Sequence, residues 1–217
     1  MNHTIKAVIF DMDGLLIDSE TVHKKAEYQL LEYLGCAHLE ELCHNTYGMK
    51  TEDALNFLRR HANFSHSDEE ATAYWLKVIT EDFKKVELMP GAGECLNNLS
   101  QAGFRLGLCS SSPWELINIA LDNLQIRSFF HALTSGDEVG VGKPEPDIYL
   151  HCARELDVNP RMCLAAEDAP KGVEAAKRAG MKCLAVPNLH TRNFDFAHAD
   201  GILNSLKELT PELIRQL

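Results

Sequence analysis

Val8-Ile9-Phe10-Asp11-Met12-Asp13-Gly14-Leu15-Leu16-Ile17-Asp18-Ser19-Glu20 opens with an apolar run that stops at two carboxylates one residue apart. The run over 5–10 reads as a short buried strand, and in an open parallel sheet the ligand crevice lies beyond the carboxyl ends of the strands. Asp11 then sits at that edge. Two ionised groups at the end of an apolar strand repel each other and lose water, so they persist where a cation compensates them. The rest of the chain has to supply that charge.

Downstream of Ser19 the pattern changes to helix. Val22, Ala26, Tyr28, Leu30, Leu31 and Leu34 precede Gly35, which fits a helix with a glycine stop. Thr51 caps a second predicted helix, with Ala54, Leu55, Leu58 and Ala62 on its apolar side. Ser67 caps a third, running through Ala71, Tyr74, Leu76, Ile79 and Phe83. No strand pattern interrupts them, so residues 17–87 read as an all-helical insertion.

After Met89-Pro90-Gly91 the patterns alternate. They give helix 92–101, strand 105–109, helix 113–124, an apolar segment at 132–134, helix 146–156, strand 162–166, helix 170–179, strand 183–186 and a short strand at 201–203. The expectation is an α/β fold, a Rossmann-like parallel sheet with helices on both faces and right-handed crossovers, carrying an inserted α-helical cap domain. The core is 1–16 and 88–217, the insertion 17–87, and the candidate hinges lie near 16–19 and 86–90.

A chain of 217 residues can bury a sizeable core, and 45% hydrophobic with 24% charged residues is ordinary for a globular protein. No apolar run is long enough to span a membrane, and the polar start leads straight into a strand, which implies no signal peptide and a cytoplasmic location. A net charge of -11 argues against a large nucleic-acid footprint. The seven cysteines include no C-x-x-C pair, and Cys109, Cys163 and Cys183 lie in apolar strand-like runs, so they read as core thiols.

Other predicted strand ends are polar too. Ser110-Ser111-Ser112-Pro113 places hydroxyls and N–H groups before a helix, with a proline suited to the first helical position. That outlines an anion site, although an isolated run of this kind more often only caps a helix. Lys143 sits in Gly142-Lys143-Pro144-Glu145-Pro146, where two prolines stiffen the loop and turn an ordinary surface lysine into a candidate fixed point charge. Glu167-Asp168 closes the strand at 162–166. Asp168 alone suits an N-cap, but four carboxylates at two strand ends favour a hard cation ligated by oxygen, and Mg2+ fits best.

The order Asp11-x-Asp13-Gly14, Ser110, Lys143-Pro144 and Glu167-Asp168, with a helical block between the first two motifs, resembles the haloacid dehalogenase-like phosphatases with an α-helical cap. The resemblance covers essentially the whole chain and is strongest with the sugar-phosphate phosphatase and β-phosphoglucomutase-like group. It implies that Asp11 is the nucleophile, becoming an aspartyl phosphate. Asp13 would protonate the leaving oxygen and then activate water, while Ser110 and Lys143 hold phosphoryl oxygens. Magnesium would be bound by Asp11, the backbone carbonyl of Asp13 and Asp168, with Glu167 in the outer shell or as an alternative ligand. Elementary chemistry agrees, since a carboxylate approaching an anionic phosphate needs the repulsion neutralised. A positioned acid is worth about 10²–10⁴ in rate against a basic alkoxide leaving group.

His23 and Lys50 stand where the resembling enzymes put substrate-facing groups, and Ser111 and Glu20 are expected to contact the substrate as well. A lone histidine on an amphipathic helix is more often structural, and Lys50 is equally readable as a solvated charge. The β-phosphoglucomutase-like members carry an arginine where this chain has Thr51, and Lys50 would replace its fork only with a point charge. The expected activity is a Mg2+-dependent phosphatase acting on a small phosphorylated metabolite: a sugar, polyol or nucleoside-like monophosphate. The expected state is a monomer or weak dimer without nucleic-acid or membrane partners. The alternatives are a β-phosphoglucomutase-type phosphoryl transferase and a catalytically idle binding or regulatory protein on the same fold.

Overall fold

A computed structural model describes residues 4–36, 49, 51–61 and 64–217. Its strands are β1 (Ala7–Phe10), β2 (Arg105–Ser110), β3 (Ala132–Ser135), β4 (Cys163–Glu167), β5 (Lys182–Ala185) and β6 (Gly201–Ile202). All pairings are parallel, in the order β3-β2-β1-β4-β5-β6. The chain steps outward from β1 to β3, then returns to β4 on the other side of β1. That reversal is the topological switch point at which open α/β sheets bind ligands. The α/β expectation holds.

Alternation along the strands splits the core in two. Val8, Phe10, Leu106, Leu108, Leu164 and Ala166 face one layer, where Leu96 and Leu99 of α4 (Ala92–Gln101) join Leu116 and Leu121 of α5 (Trp114–Asn123). Ala7, Ile9, Cys163, Ala165 and Cys183 face the other, against Tyr149 and Cys152 of α6 (Asp147–Glu155) and Val173 and Ala176 of α7 (Pro170–Arg178). The second layer is thin because its residues are small. A Cβ at Gly107 would lie 2.6 Å from the Cys152 sulfur, so α6 sits directly on β2. Among the described residues six cysteines are buried free thiols; Cys43 lies outside them.

Between β1 and α4 come α1 (Glu20–Tyr33), α2 (Thr51–His61) and α3 (Asp68–Phe83). Leu30, Leu31, Ile79 and Phe83 carry the larger apolar cluster into these helices without a break. Ser67 caps α3 as expected, in a reciprocal capping box with Glu70. Gly35 ends α1 at φ +72°, a conformation glycine adopts without strain. The two predicted hinges lie side by side: Ile17 and Leu88 form an antiparallel bridge, flanked by Asp18 N–H to Glu87 C=O and Met89 N–H to Leu16 C=O, both 2.9 Å.

Two boundaries differ from expectation. Pro113 and Pro146 precede their helices by one residue instead of opening them, and Pro113 has extended ψ (156°). A last helix, α8 (Pro211–Gln216), capped by Thr210, was not expected from the sequence, because one and a half turns show too little periodicity. No described helix is long and apolar enough to cross a membrane.

Candidate active site

The central place of β1 decides the site. Phe10 pairs with Leu108 on one side and Ala166 on the other, and the Asp11 N–H donates to the Ala166 carbonyl at 3.1 Å. Asp11 therefore leaves the sheet between the polar ends of β2 and β4. Lys143 Nζ reaches in from the loop before α6 and lies 2.5 Å from Asp11 Oδ1, 2.6 Å from Glu167 Oε1 and 3.4 Å from the Cys109 carbonyl. Its side chain is 2% exposed. Tyr149 of α6 donates its hydroxyl to the same Glu167 oxygen. A Cβ at Gly172 would lie 2.0 Å from the Glu167 carboxyl carbon, so only a glycine in the first turn of α7 leaves room for that side chain.

Asp11, Glu167 and Asp168 each bring one carboxylate oxygen to within 4.8 Å of the other two, and all three residues are buried. Burial pushes the Asp11 carboxyl well above the usual range. Lys143 opposes this, and the charges of Glu167 and Asp13 add to it. Burial likewise raises Asp168, reinforced by Asp11, Glu167 and Glu20. Burial acts to lower Lys143, but Asp11 and Glu167 outweigh it and hold the ammonium charged. Three acids against one lysine leave a deficit of positive charge at a buried site. An oxygen-only donor set of this kind suits a hard divalent cation. Asp168 does not cap α7: Ala169 holds that place and makes no side-chain cap bond.

Asp13 lives in a different environment. Its Oδ1 accepts from Ser19 Oγ at 2.7 Å and lies 3.0 Å from His23 Nε2, while Oδ2 accepts from Ser110 Oγ at 3.0 Å and Ser112 Oγ at 2.9 Å. Burial alone would raise this carboxyl. The His23 charge and the hydrogen bonds of His23, Ser19 and Ser112 outweigh burial and bring it down to about 2. Both Asp13 carboxylate oxygens are thus taken up by Ser19, His23, Ser110 and Ser112, and its side chain is not part of the Asp11–Glu167–Asp168 group.

The residues assigned to the substrate divide. Ser111 and Glu20 line a cleft between the sheet edge and the inserted helices. Burial raises Glu20 to about 7; His23 opposes this, and Asp13, Glu27 and Asp18 reinforce it. His23 lines the same cleft and holds Asp13, and it is also structural, stacked on Trp75 with centroids 6.1 Å apart. Lys50 lies outside the described residues. Ser110 is fully buried and engaged with Asp13, and its neighbour Ser112 lines the cleft.

Four residues of the site were not named from the sequence. Ser112 belongs to the run already quoted. Ser19 occupies the N-cap position of α1 but spends its hydroxyl on Asp13. Tyr149 offers no signal beyond a phenol in an apolar helix. Asn188, which donates to Asp168 Oδ2 at 2.8 Å, follows β5 at the binding edge of the sheet, and that position alone would have singled it out.

This sheet, with acids gathered at its switch point, is an α/β fold with a ligand crevice at that edge, and comparison with known proteins places it. A family model for haloacid dehalogenase-like hydrolase matches residues 5–180, and the chain belongs to that family. Hexitol phosphatase B of Escherichia coli is 35% identical over 211 residues, covering 95% of both chains. A phosphorylated carbohydrates phosphatase of Thermotoga maritima is 33% identical over 183 residues, 82% of this chain and 83% of that one. Among solved structures, CbbY from Rhodobacter sphaeroides in complex with phosphate superposes with a TM-score of 0.85 at 29% identity, covering 98% of this chain and all of that one. The β-phosphoglucomutase of Clostridium difficile gives 0.86 at 25% identity, covering 98% and 96%. Within its family the chain is a phosphoric monoester hydrolase.

Proposed function

We propose that the protein hydrolyses the phosphate monoester of a small hydroxylated metabolite through an aspartyl phosphate on Asp11, with Mg2+ as cofactor. The observation that carries this reading is the division of labour on one turn: Asp11 is clamped by Lys143 in the acidic cluster, and two residues on Asp13 is held apart by hydroxyls and His23. Lys143 fixes one oxygen of Asp11, and the other attacks phosphorus in line with the leaving group. As the P–O(leaving) bond breaks, Asp13 gives the leaving oxygen a proton. Asp13 then takes a proton from the water that attacks the phosphorus of the acyl phosphate, which frees Asp11 and inorganic phosphate.

The ionised Asp13 of the ligand-free chain is the base form. A bound phosphate raises its affinity for a proton by like-charge repulsion and draws the hydroxyls of Ser110 and Ser112 toward phosphoryl oxygens. Asp11, the Asp13 carbonyl and Asp168 would hold the metal, while Glu167 serves chiefly to anchor Lys143. When bound, the cation supplies the missing positive charge, which keeps Asp11 ionised and screens the incoming phosphate.

Residues 17–87 act as a cap over a core of 1–16 and 88–217, hinged at the backbone bridge between Ile17 and Leu88. Among the described residues lining the cleft, Lys143 is the only lysine or arginine, and it is committed to Asp11 and Glu167. The outer wall includes Leu30, Leu31, Leu55, Leu58 and Trp75 with the acids Glu20 and Glu27. Such a wall favours a leaving group that is uncharged and carries hydroxyls on one side, and it gives little support to a second phosphate. Relatives named for hexitol and carbohydrate phosphates support the same class. The test is phosphate release from a panel of sugar, polyol and nucleoside monophosphates with and without Mg2+, compared as kcat/KM. Release from none of them, or full release in chelator, overturns the proposal.

A further inference from the structure

We infer that Asn188 is a positioning residue whose side-chain amide fixes Asp168 and the Gly14 turn for the divalent cation, an assignment that rests on the metal-dependent reading above. The loop after β5 is tied to the site at its root, where the Val186 N–H donates to the Glu167 carbonyl at 2.7 Å. Two residues on, Asn188 Oδ1 accepts from the backbone N–H of His190 at 2.7 Å and of Thr191 at 3.2 Å. The Asn188 N–H donates to the hydroxyl of fully buried Thr191 at 3.1 Å. These bonds hold the oxygen end of the amide against its own loop. The nitrogen end then faces the site, and its two hydrogens go to Asp168 Oδ2 at 2.8 Å and the Gly14 carbonyl at 3.0 Å.

The orientation of the amide is set by its partners. Turned over, it would aim its NH2 at two N–H donors and its oxygen at a carboxylate and a carbonyl, losing all four bonds. With Oδ2 occupied, Asp168 presents a single oxygen to a metal. A neutral donor does this without competing with the cation, as a lysine in the same place would. Gly14 completes the contact. It has φ +78°, and a Cβ there would lie 2.6 Å from both Asn188 Nδ2 and Asp168 Oδ2, so the first-motif turn, the amide and the carboxylate touch directly. Holding the Gly14 carbonyl also fixes the preceding peptide, which carries the Asp13 carbonyl. Partners of this kind around metal ligands are worth about 10–100-fold in metal affinity.

The experiment measures the Kd of Mn2+ alone by electron paramagnetic resonance for wild type, Asn188→Ala and Asn188→Ser, with thermal melts in chelator and phosphatase activation by Mn2+. Serine can still accept from the loop N–H groups but does not reach Asp168. The expected result is a Kd raised about 10–100-fold in both variants, a matching rise in the metal concentration for half activation, and kcat at saturating metal within about threefold. A Kd within twofold of wild type in either folded variant overturns the assignment. So does unfolding of both variants in chelator, which would make Asn188 a determinant of the fold. Wild type that binds no Mn2+ would bring down the metal-dependent reading itself, a different outcome from tight wild-type binding that the variants leave unchanged.

Discussion

Replacing Lys143 by methionine keeps the length of the stem and removes the one ammonium that lies between Asp11 and Glu167. The side chain is 2% exposed and its partners are 10% and 1% exposed, so solvent does little to screen what is left. Breaking a buried pair in this way costs about 3–5 kcal/mol, because it strands charge in the interior. At about 2–4 °C per kcal/mol for a chain of this size, Tm should fall by about 12 °C at pH 7 in chelator. The loss should also depend on pH in one direction. Without Lys143 the native state keeps Asp11 protonated well above the pH at which the unfolded chain releases that proton. The native state then holds more protons, and stability drops as pH rises. Melting curves from pH 4 to 8 should show the deficit largest near neutrality and shrinking toward pH 4. A Tm within about 2 °C of wild type at every pH, or a deficit that grows on acidification, would refute the view of Lys143 as the counter-charge of the buried cluster.

Asp11→Asn should leave the melting temperature within a few degrees and cut turnover by about 10⁴-fold or more, read as phosphate release; near wild-type release would remove Asp11 as nucleophile. Glu20 is raised from 4.5 to about 7, so its burial withdraws up to about 3 kcal/mol from stability as pH climbs through that window, and Glu20→Gln should flatten that part of the urea-midpoint profile. Tyr149→Phe takes one donor from Glu167 but leaves Lys143 in place; a loss of about 1 kcal/mol in denaturant unfolding is expected, and no change would mean that the phenol adds nothing to the anchor.

The sheet and the run of helices between β1 and α4 were legible in the sequence, and so were the acids and hydroxyls gathered at the strand ends. Strand ends that finish in Asp11, Ser110 and Glu167 are local patterns, and parallel register brings such ends to one edge regardless of the intervening chain. The segments near 16–19 and 86–90 were legible as the two places where the periodicity changes, and folding joins them through the Ile17–Leu88 bridge.

What the tertiary structure decided is how those residues are partnered. Ser19 and Ser110, read as a hinge residue and a phosphate ligand, both spend their hydroxyls on Asp13, and Glu167 serves Lys143 and Tyr149 as an anchor. Asn188 meets Gly14 across 174 positions of sequence. Hydrogen-bond partnership depends on distances of tenths of an ångström between side chains brought together by folding, and no periodicity in the chain encodes them.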